Sequence, residues 1–175
     1  MKNFYALAIL LIAFSINAQE NIKYQKPSKQ ILDLVEFERP PSVQYDDDKN
    51  YMVFLYRDNY KSISDLSEKE LRLGGLRINP KTNIGSRVTF YNNVKIKKLK
   101  SKNSSVEQVS GLPDNPKLTN FAWSPDETKI ALTNTTDKGV ELWVLDLETA
   151  SVVKLTDAIL NANIGGVITW QADSQ

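Results

Sequence analysis

Four short apolar runs, set apart by three turn signals, fall within residues 120–156. They read Asn120-Phe121-Ala122-Trp123, Lys129-Ile130-Ala131-Leu132-Thr133, Val140-Glu141-Leu142-Trp143-Val144-Leu145-Asp146 and Ser151-Val152-Val153-Lys154-Leu155-Thr156. Ser124-Pro125-Asp126-Glu127 is the first turn: proline presets φ at the second position, and the serine and aspartate side chains bond the local backbone. Asp137-Lys138-Gly139 is the second, with Gly139 open to positive φ. Leu147-Glu148-Thr149-Ala150 is the third. Runs this short, joined this tightly, spell one antiparallel meander of four strands.

The unit recurs. Trp170-Gln171-Ala172-Asp173-Ser174 echoes Trp123-Ser124-Pro125-Asp126-Glu127 at a distance of 47 positions. Val94-Lys95-Ile96-Lys97-Lys98-Leu99 echoes the run from Val140 at 46, and Ser105-Val106-Glu107-Gln108-Val109-Ser110 echoes the run from Ser151 at the same offset. Tyr45-Asp46-Asp47-Asp48-Lys49 stands where a Trp-Ser-Pro-Asp turn belongs. A four-stranded unit repeating every 40 to 50 residues marks a β-propeller blade. One blade leaves both faces of its sheet open, and neighbours stacked face to face cover them. The expected fold is all-β: a partial β-propeller of about two four-stranded antiparallel blades and the start of a third, with a short helical insertion in blade one. A closed propeller takes about four blades or more. Because the chain stops at Gln175, just after a blade-opening motif, it is expected to be the N-terminal piece of a longer protein.

Taken in order, residues 1–18 read as a secretory signal peptide: a positive start at Lys2, an apolar run over residues 4–16, and Asn17-Ala18-Gln19 at the cut. The apolar run is short for a membrane span; an uncleaved anchor is the alternative. Residues 19–41 form an N-terminal arm, in which Ile31-Leu32-Asp33-Leu34-Val35 suits one or two helical turns or a short strand. Blade one is expected over residues 42–110, with strands at residues 42–45 and 51–57 and later at 87–91 and 94–99. Residues 58–75 interrupt it. There Ser67-Glu68-Lys69-Glu70 is a capping-box pattern, Leu66, Leu71 and Leu73 suggest helical spacing, and Gly74-Gly75 closes the helix. Leu76-Arg77-Ile78-Asn79 reads as a strand stopped by Pro80. Blade two is expected over residues 111–157 and the start of blade three over 158–175.

The sequence excludes several chemistries. Histidine and cysteine are absent and the formal charge is +1. No histidine-dependent triad, thiol chemistry, disulfide or cysteine lipidation is available within this stretch, and no net charge draws the chain to nucleic acid. The lysines at 95, 97, 98, 100 and 102 lack interleaved aromatics and suit a solvated face or a guarded edge. Asp46, Asp48 and Asn50 open like a calcium loop, but Tyr51 stands where glycine is needed and Arg57 where glutamate is needed. There is no Gly-x-Ser-x-Gly elbow and no phosphate-cradling glycine loop. Asn103 and Asn134 fit the glycosylation pattern, which matters only in a eukaryotic secretory route. Trp123 and Trp143 suit a core, with ligand stacking as the alternative. Arg57, Arg72, Arg77 and Arg87 surround the insertion; each either makes a structural salt bridge or holds an acidic side chain bidentately. No catalytic, cofactor-binding or metal-binding residue is assigned.

Leu71-Arg72-Leu73-Gly74-Gly75-Leu76-Arg77-Ile78-Asn79-Pro80 and Phe121-Ala122-Trp123-Ser124-Pro125-Asp126, followed in order by Glu141-Leu142-Trp143-Val144-Leu145-Asp146 and Leu155-Thr156-Asp157-Ala158-Ile159-Leu160-Asn161, resemble the N-terminal region of secreted prolyl oligopeptidase-family serine peptidases, especially the glutamyl-endopeptidase-like branch. The resemblance runs from about Tyr24 to the end. It departs at Asp46-Asp47 and at Gln171-Ala172. It implies an N-terminal propeller followed by an α/β-hydrolase domain whose Ser-Asp-His triad lies beyond Gln175. The propeller would cap that site and admit short or unfolded peptides, so the implied partners are a peptide substrate and the missing hydrolase domain, with no cofactor. The implied location is periplasmic or extracellular, with no membrane span once the leader is cut. The competing expectation is a Tol-system-like or other periplasmic propeller scaffold, which shares the Trp-Ser-Pro-Asp turns without needing the insertion. A self-contained small β-domain is the third.

Overall fold

The computed structural model describes residues 25–102 and 104–173. The expected leader, residues 1–18, and the Asn103 acceptor lie outside the described residues. The chain divides into two units, Met1–Phe37 and Glu38–Gln175. In the first, Ile31 to Val35 form part of a helix, α1 (Lys29–Val35). A Lys29–Asp33 ion pair of 2.6 Å, one turn apart, bridges its exposed side. No helix among the described residues is long and apolar enough to cross a membrane.

The second unit is mostly β, with three antiparallel sheets. Sheet one contains β1 (Ser42–Tyr45), β2 (Tyr51–Tyr56), β6 (Asn93–Lys98) and β7 (Glu107–Gln108), in that order. Sheet two is an unbroken meander of β8 (Leu118–Trp123), β9 (Lys129–Thr135), β10 (Val140–Asp146) and β11 (Ser151–Lys154). A small third sheet of β3 (Leu71–Leu73), β4 (Leu76–Asn79) and β5 (Ile84–Gly85) lies in sequence between β2 and β6, preceded by α2 (Ile63–Ser67).

The insertion departs from expectation. Its helix starts earlier and is shorter: Ser62 is the cap, its hydroxyl accepting from the Asp65 N–H while the Asp65 carboxylate accepts from the Ser62 N–H. Leu71 and Leu73, two apart, lie on a strand. Gly74 and Gly75 form the hairpin turn to β4, with φ of +53° and +91°. Two successive positive φ values suit a type I′ turn, which favours glycine. Residues 87–91 make only an isolated bridge, from Tyr91 to Leu118.

Sheets one and two repeat each other in detail. Ser124 is 2% exposed and its hydroxyl accepts from the Lys129 N–H at 3.0 Å and donates to Asp126 at 2.7 Å. Asp46, also 2% exposed, holds the same place: its carboxylate accepts from the Tyr51 N–H at 2.6 Å and from the Asn50 N–H and amide at 2.9 Å. The fourth turn residue is left-handed in both, Lys49 at φ +54° and Glu127 at +55°. The Asp-Asp departure from Ser-Pro therefore exchanges one acceptor for another and keeps the turn. Further on, the Leu99 N–H donates to Asn50 O as the Leu147 N–H donates to Thr128 O, and Val109 to Val94 as Leu155 to Leu142. These bonds make Val94 equivalent to Leu142, two residues away from the sequence echo with Val140. A slip of two keeps every side chain on its face, so the echo looked right.

One apolar cluster spans both sheets. Val53, Leu55, Val94, Ile96 and Val109 of sheet one meet Leu118, Ile130, Leu132, Leu145, Leu147, Ala150 and Val152 of sheet two. Burying one such leucine or isoleucine contributes roughly 1.5–3 kcal/mol. Trp123 and Trp143 pack against this cluster, which favours the core reading. The chain passes between sheets at Gly111, where φ is +80° and a Cβ would sit 2.6 Å from Val152 O. In β8 the ladder shifts register between Thr119 and Ala122. Asn120 takes the left-handed conformation there and its amide donates to the Thr133 hydroxyl at 3.0 Å.

Asp46 carries a direct test of the shared turn. Asp46→Ala strips the acceptor from the Asn50 and Tyr51 N–H groups and is expected to cost about 1–3 kcal/mol in urea denaturation. Asp46→Ser is expected to recover most of that loss by restoring the arrangement seen at Ser124.

Candidate functional site

At one end of the two large sheets β2 and β9 finish while β6, β8 and β10 begin. The insertion joins β2 to β6 at this end. A cavity of about 820 Å³ opens there, lined by Arg57, Lys61, Asp65, Asn92 and Lys117 among others. A second, of about 500 Å³, is lined by Asn79, Thr82, Asn134 and Thr135 among others. The two share Glu68, Ser86, Phe90, Asn115 and Lys117 as walls.

Lys117 lines both cavities. Its backbone N–H donates to the Asn134 side chain at 3.0 Å, and its carbonyl accepts from the Thr135 N–H at 3.0 Å, fixing it to sheet two. Its ammonium reaches Asp65 of α2 at 2.7 Å and lies 5.8 Å from the Phe90 ring centroid. The Lys117 hydrogen bond, followed by that of Ser62, pulls the Asp65 carboxyl down to about 2. The Ser62–Asp65 pair is a helix cap.

The four arginines separate. Arg72 and Arg77 both bond Glu70, at 2.9 and 2.7 Å, and Ser86 Oγ donates to the same carboxylate at 2.6 Å. Ser86 first, then Arg72, hold Glu70 down to about 2. These two arginines take the structural reading. Arg87 is exposed beside a smaller cavity that Arg72 and Arg77 also line. Arg57 differs: it is half-buried in the wall of the larger cavity, and its buried Nε meets no acceptor among the described residues. The hydroxyls of Thr82 and Thr135, residues only 5% and 7% exposed, are likewise buried and without a partner. The walls of the two cavities are thus largely polar, and three of their buried side-chain atoms have no hydrogen-bond partner among the described residues.

Of the lysine run, Lys95, Lys97 and Lys98 lie on β6, and Lys100 and Lys102 follow it. Lys95 stacks over the Tyr56 ring at 5.0 Å, and Lys98 bonds Glu148 of sheet two at 3.2 Å. Trp143 donates from Nε1 to Glu141 at 2.9 Å, beside Asn134 and Lys154 on the same carboxylate. Burial opposes ionisation of Glu141, but these three donors outweigh it and hold the carboxyl below its usual range. Asn134 is 4% exposed and its side chain is engaged at both ends. Sequence reasoning passed over Lys117, Thr82 and Thr135. A lone lysine before a strand and threonines in β-rich segments carry no signal until the fold brings them together.

No family model matches the chain. It is 29% identical over 151 residues to the probable glutamyl endopeptidase, chloroplastic, of Oryza sativa subsp. japonica, which covers 79% of this chain and 16% of that protein. The protein of the same name from Arabidopsis thaliana is 29% identical over 149 residues, with the same coverage of each. The chain thus spans about one sixth of the length of the curated relatives it matches. The similarity is to peptidases.

Asp65 ionises more readily in the folded chain than its ordinary value of 3.8. Its contribution to stability is complete above that value and is lost as pH falls toward 2. Both partners are partly exposed, so the pair is worth at most about 1 kcal/mol. Lys117→Met is expected to return the Asp65 carboxyl toward 3.8 in an NMR titration and to flatten the fall in stability between those pH values.

Proposed function

We propose that this chain is the N-terminal propeller region of an exported serine peptidase of the prolyl oligopeptidase family. In this reading it holds no catalytic residue and restricts which peptides reach an α/β-hydrolase domain carried elsewhere in a longer protein. The export leader read at residues 1–18 would deliver that protein to the periplasm or cell exterior. Its partners would be a peptide substrate and the hydrolase domain.

One observation carries the reading: two indole N–H groups, 47 positions apart, reach back to equivalent positions on the first strands of sheets one and two. Trp123, on the first strand of sheet two, donates its indole N–H to the Gln44 side chain on the first strand of sheet one, at 3.2 Å. Trp170, 47 positions on, donates its own to Ala122 O on the first strand of sheet two, at 2.9 Å. Gln44 and Ala122 are equivalent positions by the turn bonds of Asp46 and Ser124. A regular succession of like sheets is what blade stacking requires. The likeness to glutamyl endopeptidases over 79% of this chain supplies the chemistry.

The longer protein containing this chain tests the proposal. It is expected to cleave short peptides and to react with a fluorophosphonate probe for activated serine. A form lacking residues 25–173 is expected to keep probe reactivity while losing its discrimination against folded proteins. An intact protein that takes up no probe and cleaves no peptide would sink the proposal and favour a scaffold.

A further inference from the structure

We infer that the β3–β4 hairpin is a membrane-docking element, which seats its leucine face in the headgroup region of a bilayer rich in anionic phospholipid. The inference goes beyond the proposed function and stands whether or not the longer protein is a peptidase.

The register fixes the two faces of the hairpin. Leu71 pairs with Ile78 and Leu73 with Leu76, while Arg72 pairs with Arg77 between them. Paired residues share a face and neighbours along a strand alternate. Four aliphatic side chains therefore lie on one face and the two arginines on the other. The arginine face is occupied: both guanidinium groups bond Glu70, and Ser86 donates to the same carboxylate. The aliphatic face is open. Leu71, Leu73 and Leu76 are 37%, 57% and 41% exposed. Beside Ile78 the next strand offers Gly85, which has no side chain to cover them. A Cβ at Gly74 or Gly75 would meet nothing within 4 Å, so the turn stands clear of the other described residues.

Charge says which partner suits this face. Residues 57–92 carry seven lysines and arginines against four aspartates and glutamates, a surplus of three where the whole chain has a surplus of one. The four acids are already engaged. Glu70 is shared by Arg72 and Arg77, Asp65 bonds Lys117, Glu68 accepts from Asn79, and Asp58 accepts from Asn92. Lys69, Lys81 and Arg87 are exposed and make no ion pair among the described residues. Bare leucines beside unneutralised cations fit the boundary between hydrocarbon and anionic headgroups.

The dimensions agree. Three residues at about 3.3 Å each make β3 roughly 10 Å long, and interfacial elements bury their apolar side by about 5–10 Å. Lys69 stands two residues before β3 and Lys81 two residues after β4, at the base of the hairpin. With the tip inserted, that base comes to the headgroup layer. A protein partner fits less well. Three part-exposed leucines fall short of the about 800 Å² that each side of an ordinary interface buries, whereas a bilayer needs no matching shape.

The chain has no cysteine, so a single thiol can be introduced and labelled cleanly. Leu73→Cys puts an apolar, polarity-sensitive fluorophore at the tip. Asp48→Cys puts it on the β1–β2 turn, at the opposite end of sheet one. Each labelled 175-residue chain is mixed with vesicles of phosphatidylglycerol and phosphatidylcholine in equal parts, or of phosphatidylcholine alone. The tip label is expected to brighten on the anionic vesicles, to be quenched there by nitroxide-bearing lipid, and to show about tenfold or more weaker affinity for the neutral ones. The Asp48 label is expected to stay dark. In the tip-labelled chain, Lys69→Gln with Lys81→Gln, which breaks no ion pair, is expected to lower vesicle affinity about 25-fold, about fivefold per charge. Leu76→Ser is expected to lower it about tenfold. A dark tip, equal affinity for both vesicle types, or brightening of both labels would overturn the inference. So would an affinity that survives the loss of both lysines or of Leu76. A chain held to vesicles only by its apolar run at residues 4–16 leaves the tip dark, so such binding is not mistaken for docking.

Discussion

The face shared by sheets one and two is the constraint on which the rest depends. Neither four-stranded sheet buries its apolar side chains alone, and Val53, Leu55 and Ile96 reach zero exposure only in the cluster with Ile130, Leu132 and Leu145. Hydrophobic contact is non-directional, so polar bonds at the seam set how the sheets align. Glu148 accepts from the Tyr51 hydroxyl and from Lys98, and Glu127 accepts from the Asp47 N–H. Ser110 and Ala150 to Val152 exchange backbone bonds in a short parallel bridge. Burial, then the hydrogen bond to Glu148, pushes the Tyr51 hydroxyl up to about 12. It therefore stays protonated, and able to donate, well beyond neutral pH.

The two cavities follow from where the chain departs from its repeat. Sheet two crosses from β9 to β10 by a tight turn at Gly139, whereas sheet one spends residues 57–92 on the same crossing. That excess forms α2 and the small β3–β5 sheet. Lys117 draws it against the start of β8 through Asp65, and Ala162 bonds Asn83 from the segment after sheet two. The repeating sheets supply a rigid end, and the irregular crossing supplies the walls and the polar groups. Function placed on an insertion over a regular frame is a common division of labour in proteins.

Much of this was legible in the chain because turn chemistry is local. Ser124-Pro125-Asp126 and Asp137-Lys138-Gly139 announced their turns, and the alternation of Val94, Ile96 and the lysines announced β6. The register echo between Val94 and Val140 was off by two because a period of two hides such a slip. Leu71 and Leu73 were read as helical when their spacing also fits a strand, and the Gly74-Gly75 pair decided for a hairpin. The cavities were scarcely legible. Arg57 was singled out along with three other arginines, and only the fold shows that Glu70 occupies two of them. That Thr82 and Thr135 line the same cavity is a fact of tertiary structure, written in no local pattern.

The two indole bonds give the stack a direction. Trp123 of β8 donates back to Gln44 on β1, and Trp170, which lies on no strand, donates back to Ala122 on β8. In both contacts the later segment gives the proton and the earlier strand receives it. The two partners are therefore chemically unlike and cannot exchange places.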